Sequence, residues 1–291
     1  MWYDNIKFNH KTCLNKYNET NDIEENIISL YVVVTRKCNV NCKFCEFSKG
    51  NCELDIKVFE KLYRELQNKC TISMVHFTGG EPTLELDKIK EICDIVKDCD
   101  KFTTTSVNTN GTNLDKLKGI KNLDNIALSR HHYLDSKNQE LFGSILVPNA
   151  EKINKFSEKY KIHISCNLIK GYIDNEIEIK NYLDFVGSLG IIDVGLVSLM
   201  NINDFCMNNY VDFDTLDLSK ITNLCNSRYF RKYDKNNNNL LCRCDNYLYT
   251  TDNLSLLSMY HRHAIKNDCI SDYLVFEDNH IKQGFSGKCL I

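Results

Sequence analysis

Three cysteines, Cys38, Cys42 and Cys45, stand within eight residues at spacings of four and three. Three thiolates so spaced can wrap one face of a cubane if the loop carrying them curls around it. A [4Fe–4S] cluster has four irons, and protein sites normally supply four cysteines. A compact triplet therefore leaves one iron open to bind a second molecule and deliver one electron to it. A zinc knuckle fits less well, because structural zinc asks for four ligands and usually pairs one CxxC with another.

A second group of residues suited to chemistry is Thr78-Gly79-Gly80-Glu81-Pro82. Two glycines let backbone approach a ligand closely, and a proline fixes the exit of the turn. Pro82 is one of only two prolines in the chain, so a scarce residue sits at this turn. Further on, polar residues recur at positions that end apolar runs. These are Asn108, Ser129 with Arg130, and Asn167 followed by Ile169-Lys170-Gly171. His131-His132-Tyr133 comes next after Ser129-Arg130, and His131 and His132 are candidate acids, bases or substrate contacts.

The elements that must carry these residues alternate. Apolar, β-branched Ile28–Thr35 reads as a buried strand that runs straight into the cysteine loop. Leu54–Asn68 has helical spacing, Ser73–Thr78 reads as a strand and Glu85–Asp98 as a helix. Strands are expected at Lys101–Asn108, Asn125–Arg130, Lys161–Ile169 and Ile191–Leu199. Helical segments fall near Asn113–Lys118, between Lys137 and Tyr160, and at Glu176–Leu189. Six strands alternating with helices imply a parallel α/β sheet with right-handed crossovers, curled as a barrel. After Met200 the pattern changes to two hairpins, Tyr247–Tyr260 and Leu274–Phe285, around Asp252–Asn253 and Asp278–Asn279. Residues 1–27, with weak alternation around Trp2–Phe8, read as an N-terminal cap or hairpin. Residues 28–200 read as the barrel, and 201–291 as a small extension covering the substrate.

Composition narrows the classes. Lys plus Arg is 36 and Asp plus Glu is 39, a net charge of −3, which disfavours a nucleic-acid partner. Fifteen cysteines in a chain of 291 residues fit no secreted disulfide framework. No apolar run follows a basic start and none is long enough to span a membrane, so the expected setting is cytoplasmic, oxygen-poor and reducing. Cys242 and Cys244 are candidates for a second metal site, iron–sulfur or zinc, helped by Cys225, Cys269, Cys289, His261 or His263. Free buried thiols explain them equally well.

CxxxCxxC after the first strand of a six-strand α/β chain resembles the radical S-adenosylmethionine superfamily. The resemblance implies a partial (β/α)6 barrel, a [4Fe–4S] cluster on Cys38, Cys42 and Cys45, and S-adenosylmethionine at the open iron. It places Phe44 near adenine, and Gly79, Gly80 and Glu81 at the methionine amino group, mostly through backbone carbonyls. Asn108, Ser129, Arg130 and Asn167 would complete the cofactor shell. Reductive cleavage to a 5′-deoxyadenosyl radical, with an electron donor such as flavodoxin or ferredoxin, is the implied activity. The expected substrate is a small polar or heterocyclic molecule enclosed by the barrel, one candidate being a modified deazapurine base cleaved by a lyase similar to queuine lyase. The alternatives are a peptide-modifying maturase with an auxiliary cluster, a tRNA-modifying enzyme, and a non-enzymatic iron–sulfur or zinc protein.

Overall fold

A computed structural model describes residues 27–45, 50–226, 246–262, 273–285 and 287–291. The N-terminal cap, Cys242, Cys244, His263 and Cys269 lie outside the described residues.

Strand β1 (Ile27–Thr35) leads into helix α1 (Ile56–Gln67), and β2 (Thr71–Gly79) into α2 (Leu86–Cys99). Then come β3 (Thr104–Thr109), β4 (Asn125–Ser129), α3 (Asp135–Leu141) and α4 (Ala150–Ser157). β5 (Lys161–Leu168), α5 (Glu176–Ser188), β6 (Asp193–Ser198) and α6 (Asp204–Asn208) complete the alternating part. Later strands are β7 (Leu224–Asn226), β8 (Asn246–Thr250), β9 (Leu256–Arg262), β10 (Tyr273–Glu277) and β11 (His280–Lys282). The helices begin where the chain supplies caps. Asp55 accepts from the backbone N–H of Lys57 and Val58 to start α1, and Asn175 caps α5 in the same way. β3 starts three residues later than the apolar pattern suggests. Asp100 draws in the Phe102 N–H and the Thr103 hydroxyl, and this turn competes with strand pairing.

The sheet order is β11-β10-β1-β2-β3-β4-β5-β6-β9-β8-β7. The expected six parallel strands are flanked by two more, since β10 pairs parallel to β1 and β9 pairs parallel to β6. Each late hairpin thus extends an opposite edge of the same sheet. In the β10–β11 hairpin, Asp278 and Asn279 both take positive φ, the backbone of a type I′ turn.

The two faces of the strands differ. Alternate residues, among them Leu30, Val75, Val107, Leu128, Ile164 and Leu196, are buried with the helices in one core. The intervening positions on the concave face stay half-buried and mostly polar, including His76, Asn108, Ser129, His163, Asn167, Asp193 and Tyr260. A closed barrel packs its interior with apolar layers. Here the face of the sheet away from the helices carries half-buried, mostly polar side chains up to its C-terminal rim.

Candidate active site

The cysteine loop leaves β1 and crosses the rim of the sheet, held at each station. The Gly80 N–H donates to the Thr35 carbonyl at 2.8 Å, and the Glu81 N–H to the Lys37 carbonyl at 2.8 Å. The Asn110 side-chain amide donates to Asn39 Oδ1 at 2.9 Å, and the Asn39 amide to Thr112 Oγ1 at 2.8 Å, tying the loop to the end of β3. Beyond Cys42, the Asn203 amide donates to the Lys43 carbonyl at 3.2 Å, beside α6. The β10–β11 hairpin braces the loop's root, where Arg36 pairs with Glu277 at 2.6 Å and Asp278 at 3.2 Å. Cys38 and Cys42 are half-buried and Cys45 is exposed, all on one rim loop.

The glycine pair fits its position in detail. Gly79 has φ +124, and a Cβ there would lie 2.1 Å from the Thr35 carbonyl oxygen. At Gly80 a Cβ would lie 2.1 Å from the Lys37 carbonyl oxygen. Only glycine lets β2 and the cysteine loop come this close. The Glu81 carboxylate is 1% exposed and fully engaged. Its Oε1 accepts from Thr83 N, Thr83 Oγ1 and Thr109 Oγ1, and its Oε2 from Asn110 N. Glu81 therefore clamps the ends of β2 and β3.

On the far side of the rim, Phe44 packs edge-on to His131 at 4.7 Å and against Leu141, Ile169, Leu199 and Cys206. Asn108, Ser129 and Asn167 occupy the concave side at the ends of β3, β4 and β5, half-buried. The structure thus gathers Phe44, Gly79, Gly80, Asn108, Ser129 and Asn167 around one rim with the three cysteines.

Arg130 lies apart from these residues. Strand alternation puts it on the side of Ile126 and Leu128, opposite Ser129, and it is 1% exposed. Its guanidinium donates to the carbonyls of Pro148 and Tyr133 and to Asp135, and lies 4.7 Å over the Phe185 ring of α5. It serves the helix layer. The two expected acid–base histidines are likewise inside. His131 Nδ1 accepts from the Asn167 N–H, and burial with the neighbouring Arg130 charge pushes its pKa down to about 3. His132 is 0% exposed, its Nδ1 accepts from the Leu134 N–H, and burial lowers its pKa to about 4. Both stay neutral at physiological pH.

Sequence reading missed the polar cluster on the concave face. Tyr260 Oη lies 3.0 Å from His163 Nε2, with the rings stacked at 5.4 Å and 11°. His163 Nδ1 lies 3.2 Å from Asp193 Oδ2, off the line of a good hydrogen bond, so that contact is electrostatic. Gly195 makes room for Tyr260, since a Cβ there would lie 2.5 Å from the phenol. On the opposite wall His76 stacks on Tyr31 at 4.5 Å, and enclosure, together with the Arg262 charge and His163, lowers its pKa to about 3. The signal was present in Lys161–Leu168, where His163, Ser165 and Asn167 alternate with Ile162, Ile164, Cys166 and Leu168. Strands of a parallel sheet covered on both faces read as continuous apolar runs, so this alternation marks a wet face.

A partial parallel barrel with a three-cysteine loop after β1 and a glycine turn after β2 defines a class of cofactor-dependent radical proteins. The sequence model of the Radical SAM superfamily matches residues 32–186, and the chain belongs to that superfamily. It is 28% identical over 207 residues to the GTP 3′,8-cyclase of Aquifex aeolicus (strain VF5), covering 64% of this chain and 62% of that protein. It is 31% identical over 178 residues to the GTP 3′,8-cyclase of Aliarcobacter butzleri (strain RM4018), covering 56% and 53%. The chain thus spans between half and two thirds of the length of these relatives. Streptococcus suis SuiB, solved with S-adenosylmethionine bound, shares the fold with a TM-score of 0.51 at 19% identity, over 62% of this chain and 43% of that one.

Family membership implies a [4Fe–4S] cluster and S-adenosylmethionine, and the residues present fit them. Three thiols share one rim loop, and beside them is a glycine cradle that any Cβ would fill. Among the described residues no three His, Cys, Asp or Glu side chains gather around a single metal ion. A cubane does not require that, since each thiolate meets its own iron.

Proposed function

We propose that this chain cleaves S-adenosylmethionine reductively and directs the resulting radical at a C–H bond of a small polar or heterocyclic substrate held on the concave face. The cluster and S-adenosylmethionine, when bound, supply the 5′-deoxyadenosyl radical; the protein supplies everything that positions and shields it. Cys38, Cys42 and Cys45 would hold three irons. The carbonyls of the Gly79–Gly80 turn accept hydrogen bonds from an ammonium, while Glu81 keeps that turn rigid. Phe44 offers a ring face or edge to adenine, and Ser129, Asn108 and Asn167 offer hydrogen bonds to the ribose and carboxylate. Arg130 supports this rim from behind.

The observation that carries the reading is the half-buried polar concave face lying directly beneath the rim that bears the cysteine loop. The relatives named as GTP cyclases take a purine nucleotide by their names, which supports a heterocyclic substrate. A lyase acting on a modified deazapurine base falls in the same class. A one-electron donor such as flavodoxin or ferredoxin and a reducing cytoplasm suit this chemistry. Among the described residues no helix is long and apolar enough to cross a membrane.

Anaerobic reconstitution tests the reading. The wild type should bind iron and form 5′-deoxyadenosine from S-adenosylmethionine under dithionite, and a variant with Cys38, Cys42 and Cys45 all changed to Ala should do neither. Equal 5′-deoxyadenosine from both proteins would overturn the assignment. Iron content adds a second result. About four irons per chain matches one cluster. More iron, or bound zinc, puts Cys242 and Cys244 to use.

A further inference from the structure

The segment that carries the three cysteines is gripped at both ends by one turn, the β10–β11 connection, 224 to 242 residues away in sequence. Ahead of the cysteines, Arg36 donates to Glu277 Oε1 from Nε at 3.1 Å and from Nη2 at 2.6 Å, and to Asp278 Oδ2 at 3.2 Å. Beyond them, the Glu53 N–H donates to Asp278 Oδ1 at 3.1 Å, and the Asp55 N–H to Asn279 Oδ1 at 2.8 Å. The two oxygens of one carboxylate, Asp278, therefore take one end of the segment each. Asp55 also caps α1, so the exit is tied to the turn and to the helix at once.

The two ends are not held equally. At the entry, the Gly80 and Glu81 N–H groups also bond the Thr35 and Lys37 carbonyls. At the exit, among the described residues from 50 to 54, the other hydrogen bond that leaves the segment is the Cys52 thiol to the Val33 carbonyl at 3.4 Å. A thiol is a weak donor, so the turn is the main polar tie there. Turn shape alone does not account for this pair. Asp278 and Asn279 have φ +51 and +63, which glycine adopts at least as readily. Glycine would offer no acceptor to Arg36, Glu53 or Asp55.

We propose that Asp278 and Asn279 form a positioning clamp for the iron–sulfur cluster, fixing the entry and exit of the cysteine segment so that its three thiols are set to hold iron. Neither residue touches iron; both act through the loop. Tying down the two ends removes chain freedom that the loop would otherwise lose on wrapping a cluster. The inference rests on the reading of Cys38, Cys42 and Cys45 as cluster ligands. It adds to the cofactor site a hairpin that lies beyond the residues matched by the superfamily model, 32–186.

The test compares the full-length wild type with a double variant, Asp278→Gly with Asn279→Gly, both reconstituted anaerobically. Glycine keeps the left-handed turn and removes both acceptors. The readout is the rate at which each protein gives up iron to an excess of a ferrous chelator. The double variant should lose iron about tenfold faster or more, the worth of the hydrogen bonds removed. Its urea midpoint, measured on iron-free protein, should stay close to wild type, because the freed N–H groups are exposed and turn to water. Asp278→Asn keeps an oxygen for Glu53 and gives up the charge facing Arg36, so its rate should fall in between. Equal rates in wild type and double variant overturn the proposal. Faster loss matched by a lowered urea midpoint also overturns it, because the turn would then only support the fold. A wild type that takes up no iron sinks the functional reading and the clamp together, whereas a wild type that holds iron no better than the double variant sinks the clamp alone.

Discussion

The rim over β1 to β3 and the concave wall of β5, β6 and β9 are built in opposite ways. At the rim the closest approaches are backbone to backbone, between the glycine turn and the start of the cysteine loop, and buried side-chain hydrogen bonds reinforce them. Gly80 and Glu81 meet Thr35 and Lys37, and the Glu81 carboxylate closes on Thr83, Thr109 and Asn110. The wall is side chain to side chain, and Tyr260 reaches His163 across 97 residues. Backbone contacts cannot yield to a mistake, whereas side-chain contacts can turn away. The rim should therefore fail abruptly on substitution, and the wall should yield locally at small cost in stability.

Gly80→Ala should show the largest effect. Its Cβ would lie 2.1 Å from the Lys37 carbonyl oxygen and 2.8 Å from that of Arg36, and neither can move without dragging the cysteine loop. A loss of about 3 kcal/mol or more is expected in urea denaturation, with iron retention falling alongside. A midpoint equal to wild type would remove the contrast between rim and wall. Arg130→Met comes next. It strips a buried cation from Asp135, the Pro148 and Tyr133 carbonyls and the Phe185 ring, at a cost of about 3 kcal/mol. S-adenosylmethionine affinity of the folded protein should stay near wild type. A selective loss of that affinity at unchanged stability would return Arg130 to the cofactor shell. Glu81→Gln should cost about 2 kcal/mol, because whichever way the amide turns its NH2 faces a backbone N–H, of Thr83 or of Asn110.

The same contrast shows how much of the molecule was legible. The cysteine loop and glycine turn could be read because each is a short run whose residue types have few other uses. The alternating elements could be read because apolar spacing reports burial directly. The side Arg130 takes was not legible, because Ser129 and Arg130 are neighbours in sequence but lie on opposite faces of a strand. His131 and His132 drew attention as an adjacent pair at a strand end, yet both are buried and uncharged. His76 and His163 did not, because a single histidine inside a strand looks like packing until its neighbours on other strands are known. The sheet order could not be read either, since nothing in β9 or β10 announces that they flank β6 and β1.

Buried histidines also give a pH signature with a definite sign. His131 and His76 titrate near 6.5 when unfolded and at about 3 when folded. Below pH 6.5 the unfolded chain takes up protons that the folded one refuses, so stability present above that pH is lost as pH falls towards 3. Each histidine contributes a slope of up to about 1.4 kcal/mol per pH unit in that window. His131 owes its depression first to burial and then to Arg130, and His76 first to enclosure and then to Arg262 and His163. Urea midpoints from pH 7 to 4 should fall more gently in a His131→Asn variant than in wild type. Parallel curves would show that His131 takes up its proton in the folded state.

Gly195→Ala should have the smallest effect on stability. Its Cβ would lie 2.5 Å from Tyr260 Cζ and Oη, but the neighbour is the far end of a side chain on the half-buried concave face. The phenol can swing away at a cost of about 1 kcal/mol, since it loses one neutral hydrogen bond and its stack on His163. The hydroxyl would then no longer be held by His163, so the variant should match wild type in iron content and shift the urea midpoint by no more than that cost. Gly80→Ala and Gly195→Ala insert the same methyl group at distances of 2.1 and 2.5 Å from their nearest neighbours. A large stability loss at position 195 would mean that Tyr260 is locked by the scaffold rather than set by His163, and the wall would then resemble the rim.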